Sequence, residues 1–377
     1  MIKEKKEKIL KCAEFLFATK GFYQTTVAGI AKESGINEAS VYSYFGNRKN
    51  ILFAIYGRYL KNAFETLSDH FQGMKEPGPK LRKAIWHYLA DMQNNPNYAK
   101  ILIMAQRENP DFYASEHFQY LKRYSNLVLD VIIEGQKEGF FHSDISARAI
   151  RNMAMGTSVY TAIESVVNNH PFDPNVVSDL IYQLVVNAAG SEVRYSGSTE
   201  RITKGDRAKR RMARQANLGD ATLYEYFENK EAILRDIAKT HLKRFGSNEL
   251  IPFEETSDPE RALKKLIWQF VWQVYTFEDF SRILILELFR SISFYSSPEY
   301  EYIEAFYKKI LETIREGQRQ GIFIEEVPMP IYPHMIVGTF DQFLLSQFLL
   351  NRPPLGLSEL NDIVDALIQA IRIGEGV

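Results

Sequence analysis

Apolar residues recur at helical spacing along most of the chain, and period-two alternation is nearly absent. Lys3 to Lys20 put Ile9, Cys12, Ala13 and Leu16 on one face of a first helix. Thr26 to Ser34 read as a second helix, Glu38 to Phe45 as a third, and Lys49 to about Phe71 as a long fourth. The stretch from Gln72 to Pro79, with Gly73, Pro77 and Gly78, breaks the period and marks a loop. Helices are then expected over about Lys80–Asn94, Asn97–Asn109, Ser115–Gly139, Ser146–Asn168 and Pro174–Ala189. Gly139-Phe140-Phe141 and Gly321-Ile322-Phe323 read as short extended connections. The pattern predicts an all-α fold.

Between the second and third helices lies the sharpest local signal. Gly35 supplies the left-handed residue that ends one helix. Asn37 is a good N-cap, and Glu38 stands in the first turn, where the helix dipole favours an acid. Ala39 and Ser40 are small enough for a close approach to a groove. Tyr42, Ser43 and Arg48 put a phenol, a hydroxyl and a guanidinium where phosphates could be met. These residues read as a helix-turn-helix; a three-helix unit that only packs is the plain alternative.

The chain also matches itself at an offset of 182 residues without a gap. Ala39, Tyr42, Tyr44, Phe45, Asn47, Ile51 and Leu52 meet Ala221, Tyr224, Tyr226, Phe227, Asn229, Ile233 and Leu234. Trp86 meets Trp268, Glu134-Gly135-Gln136 meets Glu316-Gly317-Gln318, and Gly156-Thr157 meets Gly338-Thr339. The period is too long for a solenoid, so each unit is read as a whole two-part subunit. The second copy is reduced. Where it should repeat helix one it holds Tyr195-Ser196-Gly197-Ser198-Thr199, which reads as a linker. Thr25 and Thr26 are replaced by Arg207 and Ala208 in a basic run that includes Lys204, Arg207 and Arg211. That run is read either as a DNA-contacting helix or as the solvated face of a remnant.

Composition narrows the classes. At 377 residues with 45% hydrophobic content, two or more domains are expected. Net charge is −1, so any nucleic-acid surface must be local. The single cysteine, Cys12, leaves no internal disulfide and no cysteine-based zinc site. The charged start, Met1-Ile2-Lys3-Glu4-Lys5-Lys6, does not read as a signal peptide, and no uncharged apolar run nears the roughly 20 residues of a membrane helix. A cytoplasmic location without membrane contact is expected. No phosphate loop, metal cluster or nucleophile motif is visible, so neither enzyme activity, a metal nor a cofactor is expected.

Thr25-Thr26-Val27-Ala28-Gly29-Ile30-Ala31-Lys32-Glu33-Ser34-Gly35, followed by Tyr42-Ser43-Tyr44-Phe45 and Ile51-Leu52, resembles the DNA-binding domain of the tetracycline-repressor (TetR) family. One departure is Lys49, where the family usually has an acid. The resemblance implies that the third helix enters the major groove, while the threonine hydroxyls, the tyrosine and the basic residue after Phe45 grip phosphates. Carried over, the DNA-binding residues are Thr25, Thr26, Asn37, Ala39, Ser40, Tyr42, Ser43 and Arg48, with Lys49 as a further phosphate candidate. In the second copy the corresponding set is Lys204, Arg207, Arg211, Thr222, Tyr224 and Lys230.

The resemblance divides the chain into a helix-turn-helix domain (1–48), a helical ligand-binding and dimerisation domain (49–190), a linker (191–202), a degenerate second helix-turn-helix (203–230) and a second helical ligand-binding and dimerisation domain (231–377). Family members pair through a four-helix bundle of their last two helices. Here both pairs lie on one chain, so an intrachain pseudo-dimer is expected, with a further homodimer of chains as the competing arrangement. The bodies would hold a small, largely apolar or aromatic effector that releases the protein, a repressor, from operator DNA. Pocket candidates are Trp86, His87, Met104, Glu108, Tyr124 and Tyr160, and in the second half Trp268, Trp272, Arg290 and Phe340; ordinary core is the plain alternative for most. A helical interaction or ligand-binding module without specific DNA binding is the competing function.

Overall fold

A computed structural model describes residues 2–105, 112–113, 115–191, 230–243 and 256–373. Among them there are fifteen α-helices, two short 3-10 helices and no strand beyond two isolated bridges. The second copy's proposed DNA-contacting residues Lys204, Arg207, Arg211, Thr222 and Tyr224 lie outside the described residues, as do the linker after Ser191 and the side chains of Met104, Glu108, Lys230 and Arg290.

The head is α1 (Ile2–Lys20), α2 (Val27–Ser34) and α3 (Glu38–Phe45). Ile9, Ala13, Leu16, Phe17, Ile30 and Val41 are buried between them. Gly35 and Asn37 stand at helix ends as the sequence suggests, and Thr26 caps α2. Thr26 Oγ1 accepts from Gly29 N at 3.0 Å, and Gly35 turns at φ 61°. Asn37 Oδ1 accepts from Ala39 N at 2.8 Å, satisfying a donor that the first turn leaves unpaired.

The long α4 (Arg48–Gln72) leads into a body of α5 (Pro77–Asn94), α6 (Pro96–Ala105), α7 (Glu116–Lys137), α8 (Ala147–Asn168) and α9 (Pro174–Ala189). Head and body are fastened by polar bridges. Arg58 on α4 reaches Glu7 at 3.1 Å and Glu14 at 2.5 Å, both on α1. Tyr59 donates to the same Glu14 carboxylate at 2.8 Å, and Tyr56 to the carbonyl of Ile101 at 3.0 Å.

The second half contains α10 (Lys230–Leu242), α11 (Pro259–Thr276), α12 (Glu278–Leu286), α13 (Glu301–Arg319), α14 (Tyr332–Leu350) and α15 (Leu357–Gln369). The same local devices recur at matching positions. Gly139 and Gly321 turn at φ 77° and 70°, and Asn169 and Asn351 both at φ 51°. Phe141 bridges to Gly190, and Phe323 to Arg372. Those bridges are the extended connections expected after each glycine. Gln136 and Gln318 each donate through Nε2 to two carbonyls of the loop that follows.

The halves meet along α8 and α14, flanked by α9 and α15. At the crossing Gly156 faces Gly338, and a Cβ on either would lie 2.4 Å from the other's backbone. Small residues let two helix backbones approach this closely, and side chains then interlock on either side. Across the seam His334 Nδ1 lies 3.4 Å from Thr161 Oγ1, and its Nε2 lies 3.5 Å from the Glu164 carboxylate. One apolar core runs through both bodies.

Candidate functional site

Two surfaces carry the chemistry. On the head, α3 buries Val41 and turns Ala39, Tyr42 and Ser43 outward, with Tyr42 48% exposed. Asn37 is exposed, and its carbonyl oxygen is engaged by the cap, so its amide N–H groups are what it can offer outward. Thr26 is exposed with its oxygen accepting from Gly29, which leaves the hydroxyl proton available as a donor. Ser40 and Lys49 are half-buried. Lys3, Lys5 and Lys6 on α1 are exposed, and Lys6 Nζ stands 5.8 Å from the Tyr44 ring.

Two residues of the expected set are placed differently. Thr25 is only 2% exposed, and its hydroxyl faces inward, toward the carbonyls of Gly21 at 2.9 Å and Leu16 at 3.2 Å. Arg48 donates to the carbonyls of Thr25 at 2.7 Å and Tyr23 at 3.0 Å, with its guanidinium 4.3 Å from the Phe22 ring. Both therefore brace the turn between α1 and α2. Orphan carbonyls in a tight loop need donors, and these side chains supply them.

The second surface is internal. A cavity of about 270 Å³ lies between α4, α5, α6, α7 and α8 of the first half and α14 of the second. Leu60, Met92, Leu102, Val128 and Met155 line it, with Leu345 and Leu349 closing the far wall. Of the sequence candidates it brings together His87 and Tyr124. Burial pulls the His87 imidazole down to about 4, helped by the charges of His70 and Lys83. Its Nδ1, the Tyr124 hydroxyl and the Asn152 amide Nδ2 are buried with no hydrogen-bond partner among the described residues. Apolar pockets with a few such convergent groups are the usual form of a small-molecule site.

Arg151 also lines the cavity. It donates to Asn152 Oδ1 and to Ser125 Oγ at 3.0 Å, and burial, with the like charges of Arg352 and Arg148, lowers it to about 10. Asp91 is pushed the other way, up to about 6, by burial against a counteracting hydrogen bond from Asn95. That raised value carries a sign. The folded chain holds the Asp91 proton through a range where the unfolded chain has lost it, so stability falls as pH rises from about 4 to above 6. Asp91→Asn should therefore gain about 1–2 kcal/mol at pH 7.5, after allowing for solvent screening, and nothing at pH 4. Urea titrations at the two pH values check it; equal shifts at both would contradict the placement.

The other pocket candidates lie elsewhere. The Trp86 indole points outward, donating to Asn175 Oδ1 at 2.9 Å, with Lys83 Nζ 3.7 Å above its ring. Tyr160 sits in the seam against Phe289 and His334. Trp268 and Phe340 belong to the packed core of the second half, and Trp272 is 37% exposed. Sequence reasoning missed Arg151, Asn152 and the lining from α14. A charge on the buried side of the otherwise small and apolar α8 was the available signal for Arg151.

The cavity and α1 of the head both abut α4 and α6. Tyr98 lines the cavity and stacks on Tyr59 with ring centres 3.9 Å apart and planes 15° from parallel. Tyr59 in turn holds Glu14 of the head.

A capped helix-turn-helix on a helical body is the layout of a DNA-binding regulator. The first half of the chain belongs to the tetR family of bacterial regulatory proteins: the model for that family matches residues 9–55, and one described as the C-terminal region of YsiA-like proteins matches residues 57–188. Among similar proteins is the fatty acid metabolism regulator protein of Bacillus subtilis, 24% identical over 189 residues, which are 49% of this chain and 97% of that one. Another is the HTH-type transcriptional repressor KstR2 of Mycobacterium tuberculosis, 21% identical over 161 residues, 42% of this chain and 79% of that one. The crystal structure of the regulator FadR from Bacillus subtilis in complex with stearoyl-CoA aligns with 48% of this chain and 97% of its own, at 24% identity and a TM-score of 0.45. Among the described residues no helix is long and apolar enough to cross a membrane.

Proposed function

We propose that the chain is a cytoplasmic transcriptional repressor, working as a pseudo-dimer of two fused subunits and released from operator DNA by a small, largely apolar ligand. The reading head is residues 1–48. Thr26, Tyr42, Ser43 and Lys49 meet phosphates, and Asn37, Ala39 and Ser40 meet base edges. Residues 49–190 and 231–377 are the two bodies, with 191–202 as linker and 203–230 as a reduced second head. Recurrence of the same turns, bridges and glutamine clamps in both halves supports descent from a duplicated unit. The packing of α8 and α9 against α14 and α15 supports the pseudo-dimer.

The observation that carries the regulatory reading is the Tyr98–Tyr59–Glu14 contact, which joins the cavity wall to the first helix of the head. A ligand that presses on Leu60 and Tyr98 changes the α4–α1 bridge and with it the angle of α3. The loss of DNA affinity equals the ligand's preference for the tilted state, about 1–3 kcal/mol for typical couplings.

A shift assay with the DNA upstream of the chain's own gene tests it, run at several salt concentrations with unrelated DNA as competitor. Steep weakening with salt and preference for the upstream DNA are expected. Binding that ignores both salt and sequence would leave the interaction-module reading instead.

A further inference from the structure

The cavity is built by both halves, and its charges come from both. Arg151 stands on α8 of the first half. Arg352 follows the left-handed Asn351 that ends α14 of the second half, and it lines the same cavity. Arg151 is half-buried and finds only neutral acceptors, Asn152 and Ser125. The charges that reach it are those of Arg352 and Arg148, both of its own sign. Neither Arg151 nor Arg352 has an ion pair among the described residues. Asp91, the acid among the lining residues, accepts from Asn95 and is not among the charges acting on Arg151. A partly desolvated guanidinium with a second one lining the same cavity carries a free-energy cost that an anion between them would offset. Beside them the Asn152 Nδ2, 2% exposed by residue, is still without a partner.

Among the described residues the second half carries different side chains at the matching positions. Where the first half has Ser125, Ala162 and Tyr124, the second has Tyr307, packed against the core, and Leu344 and Phe306, buried in it. Asn152 is matched by His334, whose ring lies 6.1 Å from Tyr307, and Arg151 is matched by Pro333. Tyr307, Leu344 and His334 are larger than Ser125, Ala162 and Asn152, and they take up volume that the first half leaves open.

We infer that each chain binds one ligand, an apolar chain or ring bearing an anionic group, in the first half only, with the anion held between Arg151 of that half and Arg352 of the other. The second half thus acts as a wall and a clamp for the first half's site. Guanidinium groups suit carboxylate and phosphate alike, because both accept paired N–H donors. This assignment rests on reading the cavity as the effector site, and its test needs no DNA.

The test is calorimetric titration of the full chain with dodecanoate and dodecyl phosphate, below their micelle concentrations, and neutral dodecanol, below its solubility limit. One site per chain is expected for the anions, at least tenfold tighter than dodecanol. The tighter of the two anions shows whether a carboxylate or a phosphate is the natural head. Arg352 is exposed, so Arg352→Gln leaves the fold intact; it should weaken the anions about tenfold and leave dodecanol unchanged. Two equivalent sites per chain, parity of dodecanol with the anions, or unchanged anion binding in Arg352→Gln would overturn the inference. A chain that binds one dodecanoate through Arg352 yet no operator would refute the regulatory reading and leave this one standing. The reverse pattern would do the opposite.

Discussion

Gly156→Ala is expected to destabilise the protein by about 3 kcal/mol, although alanine is the better helix former by about 1 kcal/mol. The added Cβ would lie 2.4 Å from the carbonyl carbon and oxygen of Gly338, which are backbone atoms in the middle of a helix. They cannot swing aside as a side-chain tip does, so α8 and α14 must separate along their whole crossing. Separation uncovers the apolar seam between the bodies, and each exposed square ångström costs about 25 cal/mol. A lower urea midpoint at constant slope is the expected readout. Gly73→Ala is the control. Nothing lies within 4 Å of its Cβ and its φ is −91°, so its effect should stay within about 0.5 kcal/mol. A Gly156→Ala protein as stable as the parent would mean that the halves do not meet as described. The variant should also lose the anionic ligand, because Arg352 follows directly on α14.

Ala39→Glu should reduce operator affinity at least a hundredfold while leaving the fold untouched. Ala39 is exposed on α3, with only its backbone N–H engaged, by the Asn37 cap. An acid in the first turn of a helix suits the dipole, so stability should hold or rise slightly. Facing a duplex, the same carboxylate meets phosphates at close range and fills space that the small residue leaves for the groove. Ala39→Gln separates the two effects, since it adds bulk without charge and should lose less. Midpoints of urea unfolding report the fold, and fluorescence anisotropy with labelled operator DNA reports the binding. Unchanged affinity in Ala39→Glu would remove α3 from the DNA interface.

Much of the head is legible in sequence because caps and turns are local chemistry. Gly35 and Asn37 announce helix ends whatever surrounds them, and α3 spans the residues its pattern suggests. The repeat is legible for a related reason: Gly139 and Gly321, or Gly135 under Phe141 and Gly317 under Phe323, mark backbone conditions that few residues meet. Side-chain direction is not local in this way. Thr25 and Arg48 carry the residue types of a phosphate contact, yet the carbonyls of the α1–α2 turn lie nearer and take their donors.

The aromatic residues show the same limit. Helical spacing says that Trp86, Tyr124, Tyr160 and Phe340 could each face inward, and it cannot say toward what. Docking of α5 on α9 turns Trp86 to Asn175, and docking of the two halves turns Tyr160 to Phe289. What the sequence alone determined is the all-helical layout, the helix ends of the head and the match between halves, since each is written in backbone preference and spacing. Only the tertiary structure decided that one cavity is shared by both halves, with Arg151 and Arg352 at its side. That outcome depends on how volumes such as Ser125 and Tyr307 fill space after distant helices meet, and neighbouring residues carry no record of it.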